Sequence, residues 1–159
     1  MVFNMKNNKA VLIIVIVLVL VVIASKSLLQ PKSNEVVQYR YSSEISKDYN
    51  NLKNYGKPGV AAITYDADCC PGTKQFFEEY NETVEQIFES YGSKISTVFI
   101  NFGDIPENEV NNFNAIVKEH GITVIPAILV FDAKGEFVHL VEGPIVEDDL
   151  KKMIDEVLE

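Results

Sequence analysis

The junction between the apolar run Val60–Tyr65 and the segment that begins near Thr73 constrains this chain more than any other stretch. Val60-Ala61-Ala62-Ile63-Thr64-Tyr65 is bounded by the turn residues Gly56, Pro58 and Gly59, which is the pattern of a short strand buried in a central sheet. Ala67-Asp68-Cys69-Cys70-Pro71-Gly72-Thr73-Lys74 follows. Phe76, Phe77, Tyr80, Val84, Ile87, Phe88 and Tyr91 then recur at helical spacing as far as Gly92. That stripe reads as core. The chain's only two cysteines fall on this strand-to-helix turn. A thiol there meets the first unpaired N–H groups of the helix and the positive end of its dipole, both of which favour the thiolate.

The other elements follow from the same periodicities. Ser42 or Ser43 can cap a helix whose apolar positions are Ile45, Tyr49 and Leu52. Ser96 to Phe102 alternates as a strand, and Glu107 to His120 reads as a helix with Val110, Phe113, Ile116 and Val117 inward and Gly121 as its stop. Ile128–Phe131 and Phe137–Val141 are strands joined through the turn 132–136. Glu147 to Leu158 closes the chain as a helix, with acids in its first turn and Leu150, Met153, Ile154 and Val157 on one face. After the leading helix the order is β-α-β-α-β-β-α. Asn81-Glu82-Thr83 matches a glycosylation sequon but falls inside a helix, and it carries little weight.

Val11 to Ile23 is unbroken Val, Ile and Leu, with Lys6 and Lys9 before it and Lys26 after it. It reaches spanning length if Lys26 snorkels and Leu28 and Leu29 lie at the far interface. No clean small-x-small cleavage pattern follows, which favours an uncleaved signal anchor over residues 1–29 against a cleaved signal peptide. The expected layout is this anchor, a linker over 30–38, and a domain over 39–159 outside the cytoplasm, in a single-pass membrane protein; cleavage would make it secreted. Four of the 14 basic residues and none of the 23 acidic ones lie in residues 1–34, so residues 35–159 carry ten basic against 23 acidic, a formal −13. Such a surface is repelled by nucleic acid.

Lys57-Pro58-Gly59-Val60 through Lys74, then Val124-Ile125-Pro126-Ala127, Phe131-Asp132-Ala133-Lys134-Gly135 and Gly143, together resemble a thioredoxin-family domain. The resemblance implies a thioredoxin fold: an α/β domain with a central mixed β-sheet flanked by helices, here after an N-terminal transmembrane helix. It covers the greater part of residues 39–159. Thioredoxins carry Trp-Cys-Gly-Pro-Cys-Lys at the junction, where this chain has Cys69-Cys70-Pro71-Gly72-Thr73-Lys74. Cys69 therefore stands at the packing tryptophan, Cys70 at the nucleophile and Thr73 at the resolving cysteine. Thr64 takes the position of the family's buried acid. Glutaredoxins, which use Cys-Pro-x-Cys and single-thiol variants, are a more distant likeness because of the leading helix and the hairpin.

By the resemblance, Cys70 is the attacking thiol, Pro71 and Gly72 form the motif's interior, and Ile125 and Pro126, joined by a cis peptide, shape a substrate groove whose rim Gly143 leaves open. The implied activity is reduction or isomerisation of protein disulfides, with protein thiols or disulfides as partners, the membrane engaged through the N-terminal helix, and no cofactor. The thiolate attacks a disulfide and a second thiol must resolve the product. Three outcomes stand open: resolution by an external or substrate thiol, resolution by Cys69, or loss of turnover that leaves a redox-inactive binding module tethered to the membrane. Thr73 cannot resolve, although its hydroxyl lies where it could hydrogen-bond the Cys70 sulfur. Two adjacent cysteines with scattered His120 and His139 give no metal-ligand spacing.

Overall fold

The computed structural model describes residues 41–54 and 56–159. The apolar run 11–23 and the linker 30–38 lie outside the described residues, and among those described no helix is long and apolar enough to cross a membrane. The elements in chain order are α1 (Ile45–Asn54), β1 (Gly59–Thr64), α2 (Pro71–Tyr91), β2 (Ser96–Asn101), α3 (Val110–His120), β3 (Ala127–Phe131), β4 (Phe137–Glu142) and α4 (Glu147–Leu158). This is the expected order.

The four strands form one mixed sheet in the order β2-β1-β3-β4. β1 runs parallel to β2 and antiparallel to β3, which is antiparallel to β4. Alternation sorts the two central strands between two apolar layers. Ala61, Ile63, Ala127, Leu129 and Phe131 pack with Ile45, Tyr49 and Leu52 of α1 and with Phe113 and Ile116 of α3. On the opposite face Val60, Ala62, Ile128 and Val130 pack with Val84, Ile87 and Phe88 of α2 and Leu150 and Ile154 of α4. Two helices on each face bury every residue of β1 and β3, which explains why those strands are almost uniformly apolar.

Two expectations shift at helix starts. The first bond of α1 runs from Asp48 N–H to the Glu44 carbonyl at 2.9 Å, while the Ser42 hydroxyl donates to the Asp48 carboxylate at 2.7 Å and its N–H donates to the Phe99 carbonyl at 2.8 Å. Ser42 thus fastens α1 to β2 rather than capping it. Val110, expected inward, is exposed, because a 3-10 turn over Glu107–Glu109 precedes α3 and Glu109 takes the inward position. The buried Glu109 carboxylate accepts from Ser46 N–H at 3.1 Å and from Asn112 Nδ2 at 3.0 Å, so a charge-assisted bond ties the start of α1 to that of α3.

The registers place the site. Ile63 of β1 lies opposite Ala127 of β3, Thr64 opposite Asn101 of β2, and Ala127 opposite Glu142 of β4. The cysteine junction, the loop after β2, the turn before β3 and the turn after β4 therefore emerge at one end of the sheet.

Candidate functional site

Cys70 is the N-cap of α2, with extended backbone (φ −158°, ψ 151°), and Pro71 occupies the first turn, where its missing N–H costs no helical bond. The Cys70 carbonyl accepts from Lys74 N–H at 3.0 Å. Its sulfur stands 2.8 Å from Thr73 Oγ1 and 3.9 Å from the Cys69 sulfur. Both thiols are free and exposed. The Thr73 hydroxyl, then the Thr73 backbone N–H, then the Cys69 thiol hold the Cys70 pKa below that of an ordinary thiol. Cys69 does not pack as the family's aromatic would; it is exposed beside Cys70. Pro71 and Gly72 are exposed as well.

The Ile125–Pro126 peptide is cis, and this turn enters β3 at the same sheet end as the cysteines. Pro126 is buried and Ile125 packs partly against the core. Two residues of the β4 end hold the turn. Gly143 N–H donates to the Pro126 carbonyl at 2.7 Å, with Gly143 at φ +79°, a conformation that favours glycine. The space where a Gly143 side chain would stand is open. The Glu142 carboxylate accepts from Thr123 N–H at 2.5 Å, Val124 N–H at 2.7 Å and Thr123 Oγ1 at 3.1 Å.

Those backbone donors, Thr123 first and Val124 second, hold the Glu142 carboxyl below the usual carboxylate range. A carboxylate with a depressed folded pKa stabilises above the ordinary value near ~4.3, and that contribution disappears as the pH falls through the lower folded value. Glu142→Ala is therefore expected to lower the protection factors of the Thr123 and Val124 amides at pH 7, and acidification of the wild type toward pH 3 to lower them likewise once each rate is divided by the intrinsic exchange rate at that pH. Exchange rates followed by NMR check both; unchanged protection in Glu142→Ala would show that the turn holds itself.

Behind the junction lies a buried polar pair. Thr64 Oγ1 donates to Asn81 Oδ1 at 2.5 Å, and Asn81 Nδ2 donates to Tyr41 OH at 3.3 Å. Asn81 is thus committed inside the domain, which rules out modification of the sequon in the folded chain. The site that corresponds to the family's acid is a neutral hydrogen-bonded hydroxyl. Asn101 ties the neighbouring loops, its Oδ1 accepting from Asp66 N–H at 3.2 Å and Gly103 N–H at 2.9 Å. The expected aromatic core stripe divides here. Tyr80, Val84, Ile87 and Phe88 are buried, whereas Phe76 is 37 % exposed and Phe77 half-buried, so the core face of α2 begins only at its third turn with Tyr80.

His120 and His139 stand apart from the thiols. His120 Nε2 bonds the Tyr49 hydroxyl at 2.5 Å and packs on Phe131 and Phe137; burial pushes its pKa down. His139 lies 3.3 Å from the Glu156 carboxylate. Among the described residues no group of three His, Cys, Asp or Glu side chains is placed to hold a metal. The sequence reading gave Asn81 only as part of a sequon, and missed its buried bonds together with the roles of Asn101 and Glu142. Only Glu142, next to the expected Gly143, carried a local signal.

The family description of a thioredoxin-like domain matches residues 45–158. Among solved structures, the chain is similar to thioredoxin O1 from Arabidopsis thaliana in the oxidized state, at 17 % identity and a TM-score of 0.55, covering 76 % of this chain and 95 % of that one. It is also similar to thioredoxin O2 from the same organism in the oxidized state, at 13 % identity and a TM-score of 0.53, covering 76 % and 91 %. A search of curated proteins finds no match.

Proposed function

The chain belongs to the thioredoxin-like domain family, and from that premise we propose that it exchanges protein thiols and disulfides through Cys70 acting as a single thiol. The observation that carries the reading is the exposed Cys70 sulfur at a helix N-cap, 2.8 Å from Thr73 Oγ1. Hydrogen-bond donors aimed at the sulfur lower its pKa and raise the thiolate fraction at neutral pH.

In the proposed step the Cys70 thiolate attacks one sulfur of a substrate disulfide. A new S–S bond forms to Cys70 as the substrate S–S bond breaks, and the departing sulfur leaves with the electron pair and takes up a proton. Release needs a second thiolate to attack the mixed disulfide. Thr73 has no sulfur, so the resolving thiol is another cysteine of the substrate, which yields isomerisation, or Cys69, whose sulfur stands 3.9 Å away, or a small external thiol. The external thiol releases the reduced substrate and is itself displaced from Cys70 by a second such thiol, leaving as the oxidised small disulfide. The groove for the substrate chain is the space between Cys70 and the Ile125–Pro126 turn, with Gly143 at its rim. The apolar run 11–23 between lysines supports placing the domain outside the cytoplasm on a membrane anchor.

The absence of a cysteine at Thr73 favours a second reading, a redox-inactive module that binds partners in the same groove. One experiment separates the two. The full chain carrying Cys69→Ser is mixed with a small neutral disulfide, and adducts are mapped by mass spectrometry. A mixed disulfide on Cys70 is expected, forming on the order of tenfold more slowly in Thr73→Val, where the hydroxyl is lost. A folded chain that forms no adduct, while the denatured chain does, would leave only the binding module.

A further inference from the structure

Beside the cysteine junction lies a cluster of four aromatic side chains, of which Phe76 and Phe102 are exposed while Tyr65 and Phe77 are partly buried, and whose inner edge rests on the core rings Tyr80 and Phe113. Ring centroids lie 5.1 Å apart for Phe76 and Phe77, 5.6 Å for Phe77 and Tyr65, and 6.5 Å for Tyr65 and Phe102. Phe102 is 51 % exposed. These rings come from three places: the end of β1, the second turn of α2 and the loop after β2. Their arrangement is built. Asn101 fixes the two loops to each other through Asp66 and Gly103, and the Tyr65 ring covers Gly103 so closely that any side chain there would collide with it. Phe77 lies seven residues after Cys70 on α2, about 10 Å along the same helical face.

The rim of this surface is acidic. Asp66 and Asp68 lie between Tyr65 and the cysteines, Asp104 follows Phe102, and all three are exposed. Lys74, the nearby cation on α2, is drawn to Glu78 at 3.7 Å. Exposed aromatic patches mark interaction surfaces, ring faces attract ammonium and guanidinium groups, and an acidic rim steers cations and repels anions.

We propose that Tyr65, Phe76, Phe77 and Phe102, with Asp66, Asp68 and Asp104 around them, form the docking surface for the protein substrate of Cys70, and that the segment selected is apolar and positively charged. This deepens the thiol-exchange reading and rests on it for the word substrate. The acidic rim excludes acidic segments, so specificity comes from repulsion as well as from contact.

The test uses the full chain with Cys69→Ser and short peptides whose single cysteine is held in a disulfide with a small neutral thiol. Peptides flanked by aromatic and basic residues are expected to react on the order of tenfold faster at low salt than peptides with the same aromatics and glutamates, and salt should narrow the gap. Phe102→Ala and Asp104→Asn are expected to lower that preference while leaving the rate with a small neutral disulfide within about twofold. Equal rates for the two peptides, with normal reaction of the small disulfide, would overturn the docking surface and spare Cys70. The same peptides with serine for cysteine separate the claims from the other side. Their binding, read by fluorescence anisotropy, should favour the basic aromatic peptide and weaken in Phe102→Ala whether or not the thiol reacts, and equal or tighter binding of the acidic peptide would overturn the proposal.

Discussion

Replacing Phe131 with alanine is expected to destabilise the domain by about 3–5 kcal/mol, the usual cost of removing a buried phenylalanine. Phe131 is the last residue of β3, fully buried, and the centre of an aromatic group. Its ring centroid lies 5.8 Å from Tyr49, 5.6 Å from His120 and 6.0 Å from Phe137. Through these neighbours it joins β3 to α1, to the end of α3 and to β4. The cavity left by alanine could not collapse without moving helices that are pinned elsewhere by the Glu109 and Ser42 hydrogen bonds. Against a typical total of about 5–15 kcal/mol such a loss leaves a substantial unfolded population. Urea unfolding checks it, with a lower midpoint and an unchanged slope expected. Phe137→Ala is the comparison: its ring is 43 % exposed on the outer strand, and its loss should cost much less. Equal effects would mean that the burial assigned to the two rings is wrong.

The second large effect is chemical. Cys70→Ser is expected to remove the fast mixed-disulfide formation and to reduce both that reaction and alkylation of the folded chain to the rate of Cys69, on the order of ten- to a hundredfold slower at pH 7. The reciprocal change, Cys69→Ser, keeps a hydroxyl that can donate to the Cys70 sulfur and should retain the fast phase. Stopped-flow alkylation, with mass spectrometry to locate the label, measures both. A fast phase that survives Cys70→Ser would move the nucleophile to Cys69.

Much of the fold was legible because burial imposes periodicity. Ile45, Tyr49 and Leu52 mark one face of α1, and the unbroken apolar runs of β1 and β3 follow from helices on both sides of the sheet. At the site, the three-residue spacing of Cys70 and Thr73 on a helix start was enough to bring hydroxyl to sulfur. What stayed hidden were polar contacts made between residues distant in sequence. Glu142 reaches Thr123 and Val124, Asn101 reaches Asp66, and Glu109 reaches Ser46; each depends on the strand register or on how α1 and α3 meet. Val110 was misplaced because a buried glutamate took the position that hydrophobicity assigned to it. Phe76 and Phe77 matched the helical stripe, but no pattern within α2 tells that its core face begins only at Tyr80.

The proposed chemistry requires Cys70 to be an activated thiol. The most direct measurement is the pH dependence of Cys70 alkylation in the full chain carrying Cys69→Ser, repeated with Thr73→Val. A midpoint well below the roughly 8.5 of a free thiol, moved upward by Thr73→Val, is the predicted result. A midpoint at or above that value, unmoved by Thr73→Val, would contradict it.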